Sequence, residues 1–234
     1  MKTYITKNNS NLKKLKEILS YAKFQLACVA FSLSAIFLFF SNDSFAKNNL
    51  SEENAWQKYS EEITQIESYL NNIHNLSSKF IQESADGKIT QGKLFLSRPG
   101  KMRLEYDGPP KILIIVNGSV LAYKDIELDE TSYLSTNTTP ASFLTRANIS
   151  FMAKDVEITD IKKSDNQIKI SVMKKNRKEA GEFSVIFSTN PLKFIKMEVK
   201  NDLEQITVVT LENPDFSTSL NSNLFVIKNN NLPN

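Results

Sequence analysis

The sequence predicts a mainly β protein of the α+β class. About eleven antiparallel strands curl into a barrel or strongly bent sheet, with one N-terminal helix and one short mid-chain helix to cover its open side. Three observations predict this: a helical period that ends near residue 73, a period of two that begins at Leu76, and turn residues that recur at short intervals from there to residue 202.

The leader comes first. Residues 1–23 carry Lys2, Lys7, Lys13, Lys14, Lys16 and Lys23 against Glu17 alone, and the next charge is Asp43. Residues 24–40 are strongly apolar, interrupted only by Gln25 and small serines, and Ser44-Phe45-Ala46 puts small residues at −3 and −1 of a cut after Ala46. That is the layout of a secretory signal peptide, 1–46, whose removal leaves a periplasmic chain starting at Lys47. An uncleaved anchor is the competing expectation, because residues 24–42 carry no charge and approach a bilayer-spanning length. Cys28 lies too near the start of the apolar run for a lipoprotein signal.

Removing the leader changes the electrostatics. The whole chain has 29 Lys plus Arg and 26 Asp plus Glu; residues 47–234 keep 23 and 24, a net charge of −1. Nucleic acid therefore loses its electrostatic footprint as a partner. Cys28 leaves too, and His74 is the one histidine, which excludes a zinc site, a Cys pair and a disulfide framework. Any Ser-His-Asp hydrolase would depend on His74, which stands at a helix end where an imidazole caps carbonyls or meets solvent. The chain is read as non-enzymatic, with no catalytic, metal or cofactor residues.

The elements follow in order. Residues 51–73 set Tyr59, Ile63, Ile66, Tyr69, Leu70 and Ile73 at spacings of three and four behind Ser51, a candidate N-cap, which predicts one helix of about six turns. Strands are expected at 76–84, 89–97, 101–107, 111–117, 119–124, 131–136, 155–163, 167–174, 182–188, 192–200 and 204–211, with a short extension at 224–227. Asn117-Gly118 is the strongest hairpin signal. Thr139 as N-cap and Pro140 at the first helical position predict the short helix over 139–146. Nothing in composition divides residues 47–234, which read as one domain.

Gly87 to Lys93 matches the first positions of a phosphate-binding loop. Leu94 then stands where a metal-binding hydroxyl is required, and a strand follows instead of a helix, so no nucleotide site is assigned. More informative are Phe80, Phe95, Phe143, Phe151, Phe183, Phe187 and Phe194, with Met102, Met152, Met173 and Met197. Under so few helices they form either a packed core or the lining of a pocket for apolar ligands.

Phe80-Ile81-Gln82, Gly92, Leu94 to Arg98, the run Arg98-Pro99-Gly100-Lys101-Met102-Arg103-Leu104-Glu105-Tyr106, Val116-Asn117-Gly118 with Leu121 and Tyr123, and Pro140 to Leu144 follow one another along the chain. Taken in this order, they resemble the LolA family of periplasmic lipoprotein carriers. The resemblance spans roughly residues 52–228. It implies an unclosed β-barrel covered by helices, whose cavity takes the acyl chains of lipoproteins released by an inner-membrane ABC transporter and delivered to the outer membrane, to an acceptor where one exists. It also implies a monomer. Arg98, by its Arg-Pro context, corresponds to the family arginine that bonds to the helical lid of the empty form. Phe80, Leu94, Leu96, Met102, Leu104 and Tyr106 are the expected wall of the cavity, with Phe143 and Leu144 in its lid. Met102 stands where an aromatic is common, and Ala122 stands where Trp follows Leu. A lipid- or lipoprotein-sensing module of the same fold, acting in envelope stress, is the competing expectation.

Overall fold

The computed structural model describes residues 52–226; the expected leader and the candidate N-cap Ser51 lie outside them. The expected eleven strands form one antiparallel sheet, ordered β6-β5-β4-β3-β2-β1-β11-β10-β9-β8-β7. They are β1 Asn75–Glu83, β2 Ile89–Ser97, β3 Lys101–Tyr106, β4 Ile112–Asn117, β5 Val120–Asp125, β6 Glu130–Ser135, β7 Val156–Lys163, β8 Gln167–Lys174, β9 Glu182–Thr189, β10 Leu192–Lys200 and β11 Ile206–Asp215. Two meanders, β1 to β6 and β7 to β11, are joined by the β1–β11 pairing, in which Phe80 faces Leu211. β6 and β7 are the free edges, so the barrel is unclosed. Register shifts at Ser77/Lys79, Ile158/Asp160 and Phe194/Lys196 add local twist, which helps the sheet curl rather than lie flat.

Alternation fixes the inner face. Along β1 to β3, Leu76, Phe80, Leu94, Leu96, Met102 and Leu104 are buried in one apolar cluster. Phe95, between two of them, points to the outer face, opposite Arg103 of β3. β2 runs straight through the loop-like motif, leaving no helix after Lys93.

The helix α1, Glu52–Asn72, is broken at Tyr59, whose φ of −119° and ψ of 21° leave the helical region. One continuous helix was expected. Next to the break, the Thr64 hydroxyl donates to the Ser60 carbonyl at 2.7 Å, a back-bond that bends helices. None of the helices among the described residues is long and apolar enough to cross a membrane.

Three other expectations change. The segment at 139–146 is a 3₁₀ turn, Pro140–Thr145; Thr139 makes no side-chain cap bond, and the Ser142 hydroxyl instead donates to its carbonyl at 2.9 Å. β11 runs four residues past the expected end. Asn213 and Pro214 fit because β10 has stopped pairing by then and the bulge opposite Ser78 needs no ladder bond from either. Residues 222–225 are a 3₁₀ turn, not a sheet extension: Asn221 accepts from Asn223 N at 2.9 Å, and Phe225 is buried while its carbonyl accepts from Asn117 of β4.

Candidate functional site

The β2–β3 turn holds an arginine, Arg98, that reaches two distant segments of the chain. Its backbone is anchored at three points: Arg98 N donates to His74 O at 2.8 Å, Gly100 N to Thr145 O at 2.7 Å, and Gly118 N to Gly100 O at 2.8 Å. Gly100 has φ +78°, in the left-handed region that glycine enters at least steric cost.

From this turn the Arg98 side chain reaches the end of α1 and the segment that connects β6 to β7. Nε donates to Arg146 O at 2.9 Å, Nη1 to Leu70 O and to Ile73 O at 3.3 Å, and Nη2 to Asn71 Oδ1 at 3.1 Å and Ala147 O at 3.3 Å. All five guanidinium protons are used, and every acceptor is uncharged. Two acceptors are carbonyls of the last turn of α1 and its exit, where the helix dipole is negative. The helix has no basic residue of its own in that turn, so the sheet supplies the cation. Burial lowers the Arg98 pKa from its ordinary value, and the group remains a cation at neutral pH.

Two helix side chains complete the tie. Asn71 accepts from Ile149 N at 2.8 Å and donates to Ile149 O at 2.8 Å, and Glu67 Oε1 accepts from Phe151 N at 2.6 Å and from the Ser150 hydroxyl at 3.1 Å. Sequence reasoning passed over both. Their spacing of four on the helix, next to Ile63, Ile66 and Leu70, was the available signal: polar groups beside a buried stripe need partners.

Beneath the tie lies the apolar cluster. Phe80, Leu94, Leu96, Met102, Leu104, Phe143 and Leu144 all belong to it, and half-buried Tyr106 packs against it. Phe143 lies 5.3 Å from Phe151 and 6.3 Å from Phe183 between ring centres, with the Arg146 guanidinium 5.3 Å above its ring. Tyr69 of α1 meets Phe187 edge-on at 5.4 Å. Of the other residues weighed for the interior, Met152 is exposed and does not belong to it. A cavity of about 10 Å³ beside Phe143, Val156, Val172 and Phe183 has room for about one water, against the roughly 300–1,000 Å³ of a ligand pocket.

Such an arrangement can hide or expose apolar surface; it offers little acid, base or nucleophile. His74 is exposed, and its carbonyl rather than its ring meets Arg98. Among the described residues no group of three His, Cys, Asp or Glu could hold a metal.

Comparison with known proteins bears on this geometry. The family described as outer membrane lipoprotein carrier protein LolA matches residues 71–228. An outer-membrane lipoprotein carrier protein of Coxiella burnetii (strain CbuK_Q154) is 28% identical over 183 residues, covering 72% of this chain and 83% of that protein. Among solved structures, a LolA superfamily protein from Nitrosomonas europaea has a TM-score of 0.44 at 10% identity, covering 70% of this chain and 97% of its own. The MucA/MucB complex of Pseudomonas aeruginosa has a TM-score of 0.38 at 9% identity, covering 71% and 60%.

Proposed function

Because the chain belongs to the LolA family of outer membrane lipoprotein carrier proteins, we propose that it is a periplasmic chaperone for lipoproteins. In this reading it takes the acyl chains of a lipoprotein from an inner-membrane ABC transporter into its apolar interior. It carries them, as a one-to-one complex, to the outer membrane, without catalysing a reaction. The leader 1–46 directs the chain to the periplasm and is removed after Ala46.

The observation that carries the proposal is the Arg98 tie over a buried apolar interior. Burying one sixteen-carbon chain at about 0.8 kcal/mol per methylene yields on the order of 12 kcal/mol, enough to make a permanently open pocket hold its cargo almost irreversibly. A carrier must release, so part of that affinity has to be offset. Closing the empty interior with five hydrogen bonds does this, because opening must break them first. Uncharged acceptors suit a reversible closure: once the Arg98 bonds open, the cation swings into water and leaves no charged group behind among its own acceptors. Phe80, Leu94, Leu96, Met102, Leu104 and Tyr106 then form the wall against the chains, with Phe143 and Leu144 in the part that moves.

The test is a release assay. Protein lacking the leader is added to spheroplasts or inner-membrane vesicles that hold a labelled lipoprotein, with ATP supplied to the transporter. A soluble one-to-one complex is the expected result. Folded protein that leaves all lipoprotein on the membrane, beside a working transporter from the same organism, overturns the reading.

A further inference from the structure

At the end of the inner face remote from Arg98, the lining turns from apolar to polar. Gln82 of β1 lies two residues beyond Phe80 on the same face and pairs with Thr90 of β2. Tyr106 of β3 pairs with Gly92, and Tyr123 of β5 pairs with Ile114, whose side chain packs on the apolar cluster. Four polar residues therefore share the inner surface, roughly 25 Å along β2 from the arginine.

Their state is unusual. The Tyr106 ring meets Phe80 edge-on at 5.2 Å while its hydroxyl donates to Gln82 Oε1 at 2.8 Å. The Thr90 hydroxyl is buried with no hydrogen-bond partner, alone in that among the described residues. A buried polar group without a partner is destabilising, so its retention calls for a reason. The charges around the group point one way: burial raises both phenol pKa values, Tyr106 to about 12, and the Asp125 carboxylate raises that of Tyr123 further. The four side chains offer phenol, hydroxyl and amide groups that carry no charge themselves, and the Asp125 carboxylate lies near Tyr123, which fits a neutral acceptor and disfavours an anion.

We propose that Gln82, Thr90, Tyr106 and Tyr123 form a hydrogen-bonding rim that receives the uncharged ester or amide carbonyls by which acyl chains are joined to their head group, while the chains lie against the apolar wall. The proposal rests on the carrier reading and adds to it which part of the ligand is recognised by polarity. Burial of methylenes gives affinity without direction; hydrogen bonds at one end fix how deeply the chains sit and which end of the ligand stays near water. Free fatty acids, whose carboxylate would face Asp125, gain nothing from the rim. Ester carbonyls occur in acylated cysteine and in glycerophospholipids, and the phosphate of the latter is the feature that separates them.

The experiment measures binding by protein expressed from the full-length sequence, with three probes: a synthetic triacylated-cysteine lipopeptide, a diacyl phosphatidylglycerol, and a hydrocarbon dye that has no carbonyl. Thr90→Val keeps the shape of the side chain and removes the unpartnered hydroxyl; Tyr106→Phe keeps the ring. Each is expected to weaken lipopeptide binding about five-fold, the worth of one net hydrogen bond; Thr90→Val leaves the dye unchanged, and Tyr106→Phe, at a wall residue, weakens the lipopeptide more than the dye. Thr90→Val is also expected to unfold at the same temperature as the wild type or higher. Lipopeptide binding at wild-type strength by both variants overturns the rim and leaves the carrier reading standing. An equal loss with the dye also overturns it, because the effect would then be structural. Wild-type protein that binds the phospholipid with this sensitivity but not the lipopeptide keeps the rim and overturns the lipoprotein reading. Binding of no acylated probe overturns both.

Discussion

Arg98 commits five protons to five uncharged oxygens on two segments, and that geometry sets what its removal does. Arg98→Leu leaves partly buried carbonyls at the end of α1 without their donor. Urea unfolding of the variant is expected to show a loss of about 2 kcal/mol, and an apolar dye is expected to bind more readily because opening no longer breaks the tie. Transfer of cargo to the acceptor is expected to slow; transfer at the wild-type rate would remove Arg98 from the closing mechanism. Tyr106 gives a second test at this scale. Its phenol ionises near pH 12 when folded and near pH 10 when unfolded, so the unfolded chain loses its proton first. The stability it contributes is complete below about pH 10 and disappears as the pH rises toward 12, a loss on the order of 2 kcal/mol. Comparing alkaline unfolding of the wild type and Tyr106→Phe reads it directly. Arg98 was legible from its Arg-Pro context. Its partners were not, because Leu70, Asn71, Arg146 and Ala147 become neighbours only through packing.

Among the elements, period and turn chemistry were the reliable guides. β2, β8 and β10 have the expected bounds, because polar and apolar residues alternate along them and turn residues flank them. Gly92 shows how close β2 and β3 come. A Cβ there would stand 1.9 Å from Glu105 O and 2.9 Å from Phe80 Cζ. Gly92→Ala is therefore expected to cost more than about 3 kcal/mol in urea unfolding, well beyond an ordinary strand glycine substitution. Two of the elements that differ, the 3₁₀ turn Pro140–Thr145 and the C-terminal turn, have partners outside the local window: Gly100 N donates to Thr145 O at 2.7 Å, and Arg103 Nη1 donates to Leu224 O at 2.7 Å across a separation of 121 residues.

At the scale of the molecule, the β1–β11 pairing joins two meanders that would otherwise be separate sheets. Phe80, Leu94, Phe187, Phe194 and Leu211 share one cluster across that seam, so neither half buries its inner face alone. Residues 52–226 are expected to unfold in a single transition by circular dichroism and by hydrogen exchange; two separated transitions would show that the halves are independent. Because the pairing joins the ends of the described chain, refolding is expected on the millisecond-to-second scale of proteins rich in distant contacts.

The sequence by itself determined how residues alternate between the two faces of the strands and where the hairpins turn, since both follow from local period and turn chemistry. The ordered motifs around Arg98 also placed it in its family. Only the tertiary structure decided that the wall residues gather into one buried cluster, that Glu67 and Asn71 fasten the helix to residues 149–151, and that an unpartnered hydroxyl faces inward at the far end. Asn71 and Ile149 are 78 residues apart, and nothing in either local sequence encodes the other. Their bond exists because the sheet curls until the connecting segment meets the helix, a consequence of strand twist and register summed over eleven strands.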